Sequence, residues 1–271
     1  MTELTPPQIK TKFDVHLWWI TAVIIAVNVG LFFWQVLHGM DVSNPSTADA
    51  IRWGADYAPL TFLTEPMRLL SSMFFHFGLV HLMLNMWALY IFGSVLEQMF
   101  GRVYFLVLYV LAGLMGSLLS GYIAIQDSYE LIRVGLANPE LLPRVGAGAS
   151  GAVMGLGAAL TVLSLLPMLP QQRFILDKKT LLIVMGINLA MGFMISGINN
   201  AAHIGGMLMG TVLAALWYLS QKTQQRWIMP LSLVLAACGS YWFYLHCQNL
   251  VVYIQPLWSE VLMMMRQQLN F

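Results

Sequence analysis

Seven stretches of this chain are each apolar over roughly the length of a membrane helix, and that pattern limits the fold more than any other feature. A helix crossing a bilayer needs about 20 mostly apolar residues, because the hydrocarbon layer is about 30 Å thick. Lipid offers no partners to an open backbone, so such runs fold as helices. The candidates are Val15–Leu37, Val80–Met99, Val103–Ile125, Ser150–Met168, Thr180–Ile195, Ala201–Leu219 and Ile228–Cys247, the fifth being the shortest. Composition agrees. The chain is 59% hydrophobic and only 9% charged, whereas an average soluble domain carries about 25% charged residues. The expected fold class is therefore all-α, a polytopic membrane protein with seven spans. A net charge of +1 provides no bulk attraction to nucleic acid. The first run is too long for a signal peptide and no small-residue cleavage site follows it.

Charge sets the expected orientation. The N-terminus and the alternate connections on its side carry a net +4, while the opposite set carries −3. The basic excess sits in the shorter segments, where the positive-inside rule applies best. Residues 1–14 are thus expected to be a cytoplasmic segment, with the C-terminus outside. The tail 248–271 repeats apolar residues at Leu257, Val261, Leu262, Met265 and Leu269, which suits a helix lying on the outer interface. Cys238 and Cys247 have no metal-ligand or CxxC spacing and read as apolar filling.

The stretch "GAGASGAVMGLG", Gly146 to Gly157, admits several readings. Gly146, Gly148 and Gly151 match a dinucleotide-binding turn. Such a turn needs a preceding strand and an acid about 20 residues on. Here "NPELLPRV" precedes it and "PMLPQQR" follows at that distance, so the nucleotide reading fails. Gly151 and Gly155 have the small-xxx-small spacing that lets membrane helices pack closely. A third reading takes Ser150 as a nucleophile.

Polar residues at corresponding ends of three alternate helices favour the third reading. Such groups inside a membrane are costly and usually face a cavity or a partner. Helix two begins "HFGLVHLMLN", with His76, His81 and Asn85; helix four begins at Ser150; helix six begins "NNAAHIGG", with Asn199, Asn200 and His203. In the expected orientation all three enter from the outer side, so these groups share a depth. His81 and Asn85 are spaced i,i+4 and project from one helical face. Gly205, Gly206 and Gly210 give helix six its own small-residue stripe. Two stripes could bring Ser150 and His203 within hydrogen-bond distance.

Acyl transfer is the chemistry this would support. A serine hydroxyl is a weak nucleophile until a base takes its proton, and a neutral His203 can be that base. The oxyanion would need donors, and Asn85, the His81 ring and the Ser150 backbone N–H are available. The only acid inside a predicted helix is Glu97, at the far end of helix two, so a Ser–His dyad is expected rather than a triad. Taken alone, His203 also fits a packed core histidine, and His81 with Asn85 a helix–helix hydrogen-bond pair. His76 reads as a loop residue or secondary polar contact. No HExxH pattern is present, and neither a metal nor any other cofactor is expected.

Taken together, "HFGLVHLMLN", "GASG" and "AAHIGG" resemble the rhomboid intramembrane serine proteases, in that family's order and helix placement, over about Glu65 to Gly210. "FGSVLEQMFGR" is similar to its Gly-Glu-Gly pattern through Gly93, Glu97 and Gly101. The resemblance implies a six-helix core over residues 15–219 plus one C-terminal transmembrane helix at 228–247. It implies Ser150 as nucleophile, His203 as base, and His81 and Asn85 assisting the oxyanion. Gly148, Gly151, Gly155, Gly205 and Gly206 would pack helices at the site. Arg68 matches the arginine of a Trp-Arg pair in the first loop, with Met67 replacing the tryptophan. Met154 stands where the family often has an aromatic that stacks on the histidine. Substrates would be single-span membrane proteins, cleaved in or near the membrane after local unwinding, with a lateral gate near Phe193 and Met194. The expected setting is a bacterial plasma membrane, with the site open to the outer side. Two other functions compete. A catalytically inactive relative would bind membrane clients, but Ser150 and His203 are intact. A small transporter would show intramembrane acids or an inverted repeat, and neither is evident.

Overall fold

The computed structural model describes residues 15–135, 138–169, 177–194 and 199–269. The expected segment 1–14 lies outside them. Seven long helices follow the seven apolar stretches in order: α1 (Trp19–Leu37), α5 (Leu79–Phe100), α6 (Arg102–Val134), α7 (Ser150–Leu165), α8 (Lys178–Met194), α9 (Asn200–Thr223) and α10 (Ile228–Leu269). Between α1 and α5 come α2 (Thr47–Arg52), strand β1 (Asp56–Tyr57), α3 (Ala58–Leu63) and α4 (Arg68–Ser71); β2 (Val145–Gly146) precedes α7. Among the described residues, five helices are long and apolar enough to cross a membrane. With the shorter apolar α7, they make the chain an integral multi-pass membrane protein of the all-α class.

Helix α7 is the central element. It has only 16 residues, about 24 Å at 1.5 Å per residue, less than the ~30 Å hydrocarbon layer. Its middle is almost wholly buried, from Gly151 through Leu160. Buried on every side, it need not match the bilayer, and its first residue can lie beneath the surface. Glycines admit its neighbours. A Cβ on Gly206 would overlap the Gly151 carbonyl, and one on Gly210 would overlap that of Gly155. A Cβ on Gly155 would come within 2.8 Å of the Gly206 carbonyl, and one on Gly116 of α6 within 2.7 Å of the Ala202 carbonyl. Helices α6, α7 and α9 therefore meet backbone to backbone, as small-residue stripes allow.

The ends of the helices are tied across the bundle. Gly101 holds φ +80° between α5 and α6, a left-handed turn that glycine adopts without strain. Glu97, just before it and buried, accepts the backbone N–H groups of Ile20 at 3.0 Å and Thr21 at 2.8 Å, and the Thr21 hydroxyl at 2.8 Å. The N-cap residue of α1, Trp18, makes no side-chain cap. Glu97 supplies the missing acceptor and a negative charge at the positive end of α1.

Two boundaries differ from the expectation. The third long helix ends at Val134 rather than Ile125, and the seventh runs without a break to Leu269 rather than stopping at Cys247. Residues 248–269 are therefore the second half of α10, not a separate interfacial helix. The physical reason is a shared seam. Trp258 Nε1 donates to Ser128 Oγ at 2.9 Å, and Tyr129 OH donates to the Leu250 carbonyl at 2.7 Å. Beside that seam α10 packs Val251, Ile254 and Trp258 on Ala58 and Phe62, and Leu262 on Ile51, Tyr57 and Leu60. The two extensions thus bury the layer formed by α2, β1 and α3. The long connection His38–Phe77 is not a plain loop, and the end of 126–145 pairs antiparallel with it: Asp56 opposite Gly146, Tyr57 opposite Val145.

Arg68 stitches this layer to the core. Its Nη1 donates to the carbonyls of Ile51 at 2.9 Å and Ala55 at 2.8 Å, and its Nε to Glu65 Oε2 at 2.9 Å. Beside it, Asp56 is buried and its Oδ1 accepts the Thr61 hydroxyl at 2.6 Å. Burial pushes the Asp56 carboxyl up to about 7, against the opposing pull of Thr61 and the Arg68 charge. The unfolded chain releases this proton near pH 3.8. Between those values the folded state binds the extra proton, so the contribution of this group to stability falls as pH rises from about 4 to 7 and is level above that. Asp56→Asn is expected to remove the decline, melting higher than wild type at pH 8 and level with it at pH 4, as read by thermal unfolding in detergent. Gly206→Val is expected to destabilise by at least the ~1–3 kcal/mol of ordinary overpacking. Gly239→Ala, at a position with no atom within 4 Å of the added carbon, is expected to leave the melting temperature unchanged or raised.

Candidate active site

Three helices present their ends to one point. Ser150 is the first residue of α7, and His203 lies in the first turn of α9, 3% exposed. His203 Nε2 stands 3.0 Å from Ser150 Oγ. That distance follows from the glycine contacts one turn further down, which set the spacing of the two helix axes. Asn199 shapes the start of α9: its Oδ1 accepts the Ala202 N–H at 3.1 Å and its Nδ2 donates to Ser120 Oγ on α6.

The turn before Ser150 hangs from the segment before α5. The Gly148 N–H donates to the Ser72 carbonyl at 2.9 Å, and the Ala149 N–H donates to His76 Nε2 at 3.4 Å. His76 is fully buried. Its Nε2 accepts, so its own proton lies on Nδ1. Gly148 has φ +120°, and a Cβ there would sit 2.8 Å from His81 Cε1 and 3.1 Å from His81 Nε2. Both the conformation and the ring require glycine at this position.

His81 is oriented by a second backbone donor. The Phe77 N–H reaches its Nδ1 at 3.2 Å, and the Phe77 ring stacks on it at 6.4 Å. With Nδ1 accepting, the neutral ring carries its proton on Nε2, the edge that faces Gly148. That edge offers a donor beside Ser150. Asn85 lies one turn along the same face of α5, 6% exposed, with Nδ2 donating to the His81 carbonyl at 3.0 Å. Asn85 is not hydrogen-bonded to Ser150; its amide is turned to the His81 carbonyl. The Ser150 N–H belongs to the first turn of α7, where no helix carbonyl reaches it.

Next to Ser150 is a small cavity with a polar lining that includes Asp56, Ser72, Ser117, Ser120 and Asn199. Residue-type reasoning missed this lining, as well as the Ser72 carbonyl and the role of His76 in holding the turn. A row of serines in an apolar helix was the one available signal. Arg68 and Glu97 lie away from the reacting pair and act on the frame, as described above. Met154 is buried on α7 one turn after Ser150, and no described aromatic ring packs on His203. The side chains of Phe193 and Met194, the suggested gate, lie outside the described part. Among the described residues no group of three or more His, Cys, Asp or Glu is placed to hold a metal ion.

Chemically, the arrangement can remove a proton from Ser150 Oγ and meet a developing negative charge with N–H donors. Comparison with known proteins matches the sequence to a family. A family model described as the Rhomboid domain matches residues 63–222. Rhomboid protease GluP of Bacillus subtilis is 30% identical over 83% of this chain and 40% of its own length. Rhomboid protease AarA of Providencia stuartii is 26% identical over 78% of this chain and 76% of its own. RHOMBOID-like protein 2 of Arabidopsis thaliana is 33% identical over 75% of this chain and 58% of its own. The chain thus spans well under two thirds of two of these three relatives. The matched region contains His81, Asn85, Ser150 and His203, and covers more than half of the sequence: the chain belongs to the rhomboid family.

Proposed function

We propose that this chain is an intramembrane serine endopeptidase that cleaves single-span membrane proteins in or near their transmembrane segment. The observation that carries the reading is the 3.0 Å contact between Ser150 Oγ and His203 Nε2, made across two helices above a glycine-packed seam. Supporting it, two relatives are named proteases.

In this mechanism His203 Nε2 takes the hydroxyl proton as Ser150 Oγ bonds to the scissile carbonyl carbon. The carbonyl oxygen becomes an oxyanion. The Ser150 N–H and the His81 Nε2–H meet it, with Asn85 as a third donor once its amide turns from the His81 carbonyl. The positive end of α7 adds to the field. The C–N bond then breaks, and the His203 proton goes to the leaving amine. Water repeats the sequence: His203 takes its proton, hydroxide adds to the acyl carbon, and Ser150 Oγ leaves with the proton returned. No cofactor is needed. The substrate helix has to unwind locally, because attack requires an extended, accessible carbonyl. The site would open to the outer face of a bacterial plasma membrane, with the N-terminus cytoplasmic, as the distribution of positive charge suggests.

Reconstitution with a labelled single-span substrate tests the proposal. Wild type should cleave it and Ser150→Ala should not; equal cleavage by both would overturn the reading, and binding without turnover by wild type would favour an inactive, client-binding relative. A fluorophosphonate probe should label wild type and lose its signal in Ser150→Ala. His81→Ala should lower kcat on the order of 10²-fold, the loss typical of one oxyanion donor, with a smaller change in KM.

A further inference from the structure

Helix α9 opens with two asparagines, and the chemistry proposed above uses neither. Asn199 is fully employed at the cap and on Ser120. Asn200 is not: its side-chain oxygen and nitrogen are both buried without a hydrogen-bond partner. His203 has a matching defect on one edge. Its Nε2 meets Ser150 Oγ at 3.0 Å, while its Nδ1 is buried and unpartnered.

The two defects are complementary. For a neutral His203 to accept the serine proton at Nε2, its own proton must sit on Nδ1. Nδ1–H is then a buried donor without an acceptor, and Asn200 Oδ1 is a buried acceptor without a donor. Helix geometry sets them one above the other. Residues three apart have Cβ atoms about 5–6 Å from each other. A helical side chain leans toward the N-terminus, so the His203 ring lies over the turn that bears Asn200. That gap closes by a change of Asn200 rotamer or is spanned by one water. The other polar groups nearby are committed or unsuitable. Asn199 is spent on Ala202 and Ser120, Asp56 accepts the Thr61 hydroxyl, and Met154 offers only a thioether.

We propose that Asn200 is the positioning residue for His203: its Oδ1 takes the Nδ1–H, directly or through one water, and so fixes the tautomer and the ring plane. This rests on the dyad reading above and supplies the orienting group that a Ser–His dyad otherwise lacks. An amide in this place holds the ring without adding charge, as in the Cys-His-Asn arrangement of other hydrolases.

The test uses the full chain with ¹⁵N-labelled histidine in detergent micelles, the His203 ring signals being assigned by their loss in His203→Ala. Wild type should show a protonated Nδ1 and an unprotonated Nε2. Asn200→Leu should spread the proton over both nitrogens and lower kcat by on the order of 10-fold, part of the 10²–10⁴-fold a positioned base contributes. Asn200→Asp should keep the tautomer and move the acid limb of the kcat/KM profile upward by about one pH unit or more, because a carboxylate favours the charged ring. An unchanged ring pattern in Asn200→Leu, or an unmoved acid limb in Asn200→Asp, would overturn the proposal. Should the leucine variant fail to fold, the near-isosteric aspartate variant carries the test alone. The ring spectra need no turnover, so they judge Asn200 even if no substrate is cleaved; cleavage by Ser150→Ala judges the dyad itself.

Discussion

Gly206 lies against the carbonyl of Gly151, and Gly210 against that of Gly155, with no room for a single carbon between them. Lipid provides no hydrophobic drive to push helices together, so their association depends on close packing of this kind. The contact does more than hold α7 to α9. It sets the distance between two helix ends, and a histidine side chain of fixed length then reaches a serine of fixed length. If the axes stood apart by the width of one methyl group, Nε2 and Oγ would no longer be within hydrogen-bond range. The 3.0 Å distance at the top of the pair is thus a consequence of the glycines below it. Gly116 extends the same logic to α6, which brings Ser117 and Ser120 to the cavity beside Ser150.

A second constraint acts on the turn before Ser150. Helix packing fixes where α7 lies but not how the chain enters it. That depends on three backbone N–H groups, each of which has found a partner in or near the segment 72–81. Gly148 donates to Ser72, Ala149 to His76, and Phe77 to His81. The histidines serve the backbone on one ring edge, and this fixes which edge is left for other work. His81 keeps its Nε2–H toward Gly148, whereas His76 is left with an unpartnered Nδ1. Three histidines of one residue type therefore have three separate tasks, assigned by what each ring nitrogen touches.

The features that could be read from the sequence are those governed by period and length. Apolar runs of membrane length located the seven helices, and their order carried Ser150, His203, His81 and Asn85 to the same end of alternate helices. The glycine stripes of α7 and α9 were legible because small residues at spacing four have few other uses in a membrane. What escaped was set by partners distant in sequence. The connection 38–77 contains three short α-helices and a two-residue strand, held by Arg68 donating to carbonyls 13 and 17 residues away. Carbonyls leave no trace in residue type. The helix ends at Ile125 and Cys247 were misplaced because hydropathy falls there while the helices continue. Trp258 on Ser128 and Tyr129 on Leu250 keep α6 and α10 helical beyond the apolar stretches.

Those extensions connect the periphery to Ser150. Over 42 residues α10 spans about 63 Å at 1.5 Å per residue, roughly twice the hydrocarbon thickness. Its second half must therefore find support other than lipid, and it finds α6 on one side and α3 on the other. Through Leu262 it also packs on Tyr57, and Tyr57 pairs with Val145, five residues before Ser150. The chain of contact runs from α10 to β1 to β2 to the turn before Ser150 without leaving packed side chains or paired backbone. A short antiparallel pair has little stability alone, so β1 and β2 depend on the apolar cover that α10 and α3 provide. The seventh helix lies far from Ser150 in sequence. Its second half nevertheless helps to hold the entry into α7 from one side, while the segment 72–81 holds it from the other.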